Sequence, residues 1–374
     1  MIKISAPGKI CIAGEWAVLE TGNPLIVAAL EKRVFVKIKK SKDKYIHITL
    51  RDFGIKNLKA YFQEGELRFK ERLTKKEKKY VSFVRRAIET VLNYLEITQP
   101  FEIETWGGET IIKKRGKTES IGFGSSAAVT VAVIAGLFRF YGKKIEKKIS
   151  EKIFKLAAIS HFFVQGKIGS GFDVAASTFG GVLVYKRFSS KWLINRIKKR
   201  VRLKKIIEMK WPGFYIERLK TPRDFHLLVG WTGKSSSTAE MVKKLNKWKV
   251  KNQKEYKQII KKINNLVRDL LKHWKKNNKE KILKLIRENE YYLRELGEKS
   301  NVNIETPTLR KLSEIANRNR GAGKLSGAGG GDCGIAIVFN KQDAERIKKE
   351  WQKNGVYFIN TQLSLEGVRE EIKI

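Results

Sequence analysis

Four segments of this chain join small residues to residues able to act on a ligand: APGKICIAGEWAVLE (6–20), GFGSSAAVTVA (122–132), GSGFD (169–173) and KLSGAGGGDCGIAI (324–337). Glycine lets a backbone come close to a ligand, and consecutive N–H groups can then cup phosphate oxygens. One such loop says little. Several in a single chain, each leading into an apolar run, point to one phosphate-handling site.

GFGSSAA is not a Walker A loop, since no GxxxxGK[ST] occurs in the chain. Gly122 and Gly124 allow close approach, and a helix starting at Ser125–Ser126 would offer N–H groups and dipole to an anion. The two hydroxyls suit phosphate or Mg²⁺, although an ordinary capped helix entry explains them as well. GAGGGDCG (327–334) runs straight into the apolar stretch CGIAIVF, which favours a ligand-side loop over a linker. Asp173 follows a glycine turn and precedes small residues. It is either a cap or the carboxylate a kinase sets beside the attacking oxygen. Lys9 is either a surface lysine or the matching cation, since an Asp–Lys pair at a phosphoryl centre would orient the nucleophile and neutralise charge. These motifs predict an ATP-dependent kinase acting on a small molecule.

Composition narrows the alternatives. At 374 residues with 42% hydrophobic content, the chain suits two packed domains. No apolar run approaches the ~20 residues of a membrane span, and the start MIKISAPGKI lacks a signal-peptide pattern. A soluble cytoplasmic protein with no membrane partner is expected. Cys11 and Cys333 are not expected to pair. The four scattered histidines and two cysteines form no metal-binding spacing. The net charge of +41 is spread over lysines along the whole chain. That reads as solvated faces rather than a nucleic-acid stripe, so no specific nucleic-acid partner is expected. A basic surface would still draw anionic substrates. Monomer and homodimer are both compatible with the sequence.

The elements that must position these residues follow from periodicity. IKIS, KICIAG and PLIVAALEKRVFVKIKK read as strands, as do 46–53 and 66–73. Residues 80–97 read as an amphipathic helix and 101–106 as a strand. A buried helix follows GFGSS, another spans about 145–164, and 179–188 returns to strand. The basic stretch 189–225 reads as an interdomain connection. Beyond it come a strand at 226–231, helices over 238–297 and 306–320, a loop at 321–331, a strand at 333–339, a helix at 342–355 and a last strand at 356–365. The pattern is α+β, with domains 1–205 and 206–374.

APGK…GEWAVLE, GFGSSAA and SGAGGGDCG resemble the three motifs of the GHMP small-molecule kinase superfamily. Within it, AGEWAVLE (13–20), QGKIGSGFDVAAS (165–177), VGWTGKSSST (229–238) and SGAGGGDCGIAI (326–337) resemble the phosphomevalonate kinases. The resemblance implies a ribosomal-protein-like N-terminal domain, a ferredoxin-like C-terminal domain, and a site in the cleft between them. It implies ATP with Mg²⁺, and 5-phosphomevalonate as acceptor. Asp173 and Lys9 would be catalytic. Gly122, Gly124, Ser125, Ser126, Ala127 and Ala128 would bind the nucleotide phosphates, with Ser126 at the metal. Glu15, Trp16, Ser170, Gly171, Lys234, Ser235, Ser236, Ser237, Gly327, Ala328, Gly329 and Gly330 would lie on the substrate side. The chain departs from the mevalonate kinases, which resemble one another in a metal-binding glutamate about three helical turns before the aspartate. Here that neighbourhood reads Ser160-His161-Phe162. Ser235-Ser236 follows GWTGK where relatives carry proline-alanine, and Trp16 replaces a tyrosine.

Overall fold

The computed structural model describes residues 1–114, 117–236 and 238–371. β1 (Ile2–Ala13) is one continuous strand where the sequence suggests two, with register shifts against its neighbour at Pro7/Gly8 and Cys11/Ala13. That neighbour, β2 (Pro24–Lys40), has no polar alternation over PLIVAAL, because both its faces are covered. Leu25, Val27 and Ala29 enter one core, and Ile26, Ala28 and Leu30 enter another.

β3 (Ile46–Leu50), β4 (Ile55–Gln63) and β5 (Glu66–Phe69) extend the sheet. α1 (Lys75–Leu95) starts earlier than its apolar periodicity suggests, because Thr74 and Glu77 form a reciprocal capping box. Next come β6 (Phe101–Trp106) and a ribbon of β7 (Ile111–Lys114) with β8 (Lys117–Ser120). α2 (Ser125–Phe140) is buried almost all round, as its unbroken Ala/Val/Ile/Leu run requires. At Gly136 it lies so close to β2 that a Cβ would fall 2.8 Å from Ile38 Cδ1. α3 (Lys147–Val164), α4 (Phe172–Phe179) and β9 (Val182–Lys186) complete the first motif-bearing layer.

The stretch expected to connect domains is structured. It forms α5 (Ser190–Lys198), α6 (Leu203–Glu208) and β10 (Tyr215–Leu219), and β10 pairs with β9 at the edge of the first sheet. The second half supplies β11 (His226–Trp231), α7 (Thr238–Lys251), α8 (Gln253–Lys275), α9 (Lys279–Ser300) and α10 (Pro307–Arg318). Ala322–Leu325, expected within a loop, is strand β12, paired with β13 (Cys333–Val338). α11 (Lys341–Lys353) and a short β14 (Tyr357–Ile359) follow, and β15 (Arg369–Glu370) returns to pair with β1.

The first sheet runs β10-β9-β2-β6-β3-β4-β5, with β1 on β2 and β15 on β1; among the described residues its one parallel pair is β3 with β6. The second is antiparallel, in the order β12-β13-β11-β14. α1–α4 cover one face of the first sheet and share its core. The other face of β1 and β2 meets α8, α9 and the second sheet in a common core, with Ile10, Ile12 and Ile26 beside Ile263, Val267 and Ile335. This is the two-domain α+β architecture expected, and it presses the first and third motifs together.

Candidate active site

Gly124 is the centre of the arrangement. Its left-handed backbone (φ 73°) turns the loop into α2. A Cβ there would stand 3.2 Å from Lys9 Cγ, 3.3 Å from Lys9 Cε and 3.5 Å from Asp173 Cβ. Lys9 from β1 and Asp173 from α4 therefore converge on one helix start. The Lys9 backbone N–H donates to the Phe123 carbonyl at 2.8 Å, and its ammonium donates to the Gly122 carbonyl at 2.7 Å. The Gly124 carbonyl accepts from the N–H groups of Ala127 and Ala128, both at 3.0 Å. The helix N–H groups left for an anion are those of Ser125 and Ser126.

Asp173 lies in the first turn of α4, after Gly171, whose φ of 85° starts that helix. Its Oδ1 accepts from the Val174 N–H at 2.9 Å, and its Oδ2 lies 3.8 Å from His161 Nε2. The same nitrogen is 3.0 Å from Ser126 Oγ. His161 is fully buried on α3, and burial lowers its pKa below the ordinary value, with Asp173 opposing. A neutral imidazole thus sits between the serine of the second motif and the aspartate.

The third motif closes the other side. A Cβ at Gly122 would meet Asp332 Cβ at 2.8 Å, so Asp332 packs directly on the second motif. Its N–H donates to the Lys234 carbonyl at 2.7 Å. The Ser236 hydroxyl lies 2.7 Å from the Gly329 carbonyl and 3.2 Å from Asp332 Oδ2. Burial raises the Asp332 pKa, against the opposing influence of Lys9 and Ser236. Gly329 has a steric reason to be glycine, since a Cβ would collide with the Ile304 carbonyl at 2.0 Å.

Three buried ties hold the loops. Lys324 of β12 and Glu15 form an ion pair with side chains 0% and 2% exposed. Ser326 Oγ exchanges hydrogen bonds with the Cys11 backbone, accepting at 2.8 Å and donating at 2.9 Å. Arg187 donates to the Leu19 carbonyl at 2.8 Å and the Gly169 carbonyl at 3.0 Å, joining the first-motif loop to the loop before Asp173. Cys11 and Cys333 are free, buried, and pushed to higher pKa by that burial, so neither is a poised nucleophile.

Comparison with known proteins matches the same regions. The family model for the GHMP kinase N-terminal domain matches residues 82–181, and that for the GHMP kinase C-terminal domain matches 266–356. A phosphomevalonate kinase of Streptomyces sp. is 30% identical over 97% of this chain and 97% of its own. The chain belongs to the GHMP kinase family. It is therefore a phosphotransferase. A mevalonate kinase of Thermococcus sibiricus is 29% identical over 98% of this chain and 97% of its own. Among solved structures, Streptococcus pneumoniae phosphomevalonate kinase in complex with phosphomevalonate and AMPPNP superposes with a TM-score of 0.82, at 24% identity, over 97% of this chain and 100% of that one.

Within this kinase, Lys9, Gly122, Gly124, Ser125, Ser126 and Asp173 share one site. Lys9 and Asp173 flank Gly124 without an ion pair between them, because the ammonium is directed to the Gly122 carbonyl. Ala127 and Ala128 are fully buried, and their N–H groups are used within the helix turn. Glu15 is inside, paired with Lys324, and its Oε1 accepts from the Gly327 N–H at 3.4 Å. Trp16, expected on the substrate side, is buried in the core shared by the two domains, with φ 61°. Ser170 is buried, and its carbonyl accepts from the Tyr185 hydroxyl at 2.7 Å, which leans on Gly171. Lys234 and Ser235 are exposed, and Gly327, Ala328 and Gly330 line the third-motif loop. Ser237 lies outside the described residues.

Sequence reasoning missed His161, Asp332, Lys324 and Arg187 as site builders. Asp332 and Lys324 stand inside or beside the third motif and could have been singled out there. Arg187 and His161 carry no local signal.

Proposed function

We propose that this kinase transfers the γ-phosphoryl group of ATP to 5-phosphomevalonate, giving ADP and 5-diphosphomevalonate. The observation that carries the reading is the convergence of Lys9 and Asp173 on Gly124 at the start of α2. Nucleotide phosphates placed there meet the Ser125 and Ser126 N–H groups and the positive end of the helix dipole. Lys9 neutralises charge as it spreads over the transferred group. A bond forms between an acceptor phosphate oxygen and Pγ, and the bond from Pγ to ADP breaks with its electron pair leaving on ADP. That acceptor is already anionic near neutral pH, so Asp173 serves chiefly to orient it.

The family resemblance implies ATP with magnesium. Among the described residues no three His, Cys, Asp or Glu side chains gather into a metal cluster. Magnesium arriving with a nucleotide needs only one or two protein oxygens. Ser126 Oγ and Asp173 Oδ2, at 3.0 and 3.8 Å from the same His161 nitrogen, fit that demand and would hold the ion. Bound there, it would shield the charge of the phosphate oxygens.

Three things favour a phosphorylated acceptor. The Streptomyces relative is a phosphomevalonate kinase. His161 stands beside Asp173 where mevalonate kinases are expected to carry a carboxylate. The Lys234 carbonyl is held by the Asp332 N–H and the residue is exposed, so its ammonium would be available to a substrate phosphate. The similar identity to the Thermococcus enzyme keeps mevalonate as the second reading. The test is coupled ADP release with phosphomevalonate, mevalonate and a sugar panel. Preference for phosphomevalonate by about a hundredfold or more in kcat/KM is expected, since an unfilled phosphate site leaves cations unpaired. Equal or faster turnover of mevalonate overturns the assignment.

A further inference from the structure

His161 is placed as a working part rather than as filler. Its side chain is 2% exposed, and its ring lies against Phe83 at 5.1 Å between centroids. The residue before it fixes α3 at this point: Ser160 Oγ donates to the Leu156 carbonyl at 2.8 Å and lies 2.8 Å from Thr90 Oγ1 on α1. The imidazole therefore has little freedom to turn. A core histidine of no further consequence spends its ring nitrogens on nearby backbone. Here Nε2 instead meets the Ser126 hydroxyl at 3.0 Å, across 35 residues of chain, and faces Asp173 Oδ2 at 3.8 Å. The first distance is a hydrogen bond; the second is too long for one and leaves the ring edge packed against the carboxylate.

We infer that His161 is a positioning residue that locks the Ser126 hydroxyl at the start of α2 and braces Asp173, so that the serine and the aspartate act as one unit. This rests on the kinase reading given above. Without the imidazole, the Ser126 hydroxyl can rotate to its own helix, as serines at helix starts do. Asp173, whose Oδ1 accepts from the Val174 N–H, then loses the ring that faces its Oδ2. The deficit falls on the geometry at the phosphates, where a small misplacement costs rate more than binding.

The test is a double-mutant cycle between Ser126→Ala and His161→Leu, with His161→Gln as the conservative variant, whose amide reaches towards the same point as Nε2. Steady-state kcat, KM for ATP and for acceptor, and Tm are measured on the full chain. His161→Leu should lower kcat about ten- to a hundredfold, the scale of a lost positioning contact, with both KM values within about threefold. His161→Gln should recover a third or more of the rate. The double variant should be no slower than the slower single one, because both remove the same bond. If His161→Leu lowers Tm by more than about 5 °C, the cycle is run with His161→Asn, which stays polar but is too short to reach Ser126. Rate losses that multiply in the double variant overturn the inference, as does wild-type kcat in His161→Leu. The acceptor assignment fails separately. If wild type uses mevalonate and not phosphomevalonate, the cycle is read on mevalonate. If it uses phosphomevalonate and the cycle is multiplicative, only the role of His161 falls.

Discussion

Gly124→Ala tests the site at its narrowest point. The residue has φ 73°, and a methyl group there would stand 3.2 and 3.3 Å from two carbons of Lys9. The backbone part of the cost is about 1–2 kcal/mol for an L-residue in the left-handed region. The side-chain part is different in kind. Those contacts are tight enough that Lys9 must retreat by a few tenths of an ångström, yet its ammonium is pinned to the Gly122 carbonyl at 2.7 Å. A hydrogen bond from a charged group is worth about 1.5–3 kcal/mol. If that placement is forfeited in the transition state, kcat falls roughly ten- to a hundredfold, at about 1.4 kcal/mol per decade. Gly54→Ala is the matched control, because Gly54 has φ 70° and nothing within 4 Å of a Cβ. Both variants should lose about 1–3 °C in Tm from the shared backbone term. Only Gly124→Ala should lose kcat. The assay is ADP release at saturating ATP and acceptor, with Tm by differential scanning fluorimetry. The reasoning fails if Gly124→Ala stays within twofold of wild-type kcat, or if Gly54→Ala loses rate equally.

Asp173→Asn should lower kcat by roughly two to four decades with Tm almost unchanged, the range for a positioned acid–base or orienting group; kcat within about threefold of wild type would make Asp173 a helix cap. Lys324→Met should cost about 3–5 kcal/mol in urea denaturation at pH 7, because it strands the Glu15 carboxylate, whose Oε2 already has no hydrogen-bond partner. Adding Glu15→Gln should recover much of that loss, and a double variant as unstable as the single would show the pair is not the cause. Stability should also depend on His161. Its pKa is depressed by burial, so the unfolded chain takes up a proton near 6.5 that the native state refuses. Unfolding free energy should therefore be flat above that pH and fall below it, by at most about 1.4 kcal/mol per pH unit from this group. Urea melts of wild type and His161→Gln at pH 5.0, 6.0 and 7.5 read the difference, and identical slopes would refute the assignment.

The parts of the fold that were legible are those where one local rule suffices. The amphipathic run of α1 and the glycine entries to α2 and α4 each announce an element within a few residues. Boundaries slipped where a second rule acted: the Thr74–Glu77 box extends α1 backwards, and pairing with β13 turns Ala322–Leu325 from loop into strand. In the basic stretch after 189, charge masks Leu193, Ile206, Ile207 and Trp211, which are buried against the first domain.

The site divides along the same physical line. Gly122, Gly124 and Gly329 could be found because close approach has only one residue that permits it, and Lys9 and Asp173 because each stands in a glycine-rich motif. The groups that hold them are harder to read, even where they adjoin a motif. Lys324 is a fully buried lysine in a chain with 79 Lys and Arg, so nothing in its type distinguishes it from a solvated one. His161 comes from KLAAISHFFV, a run whose periodicity is satisfied by core packing alone, and its importance arises only when α2, α3 and α4 meet. Ligand-facing residues must meet a chemical demand that their type reveals, whereas the residues that position them need only a location, and location belongs to the fold.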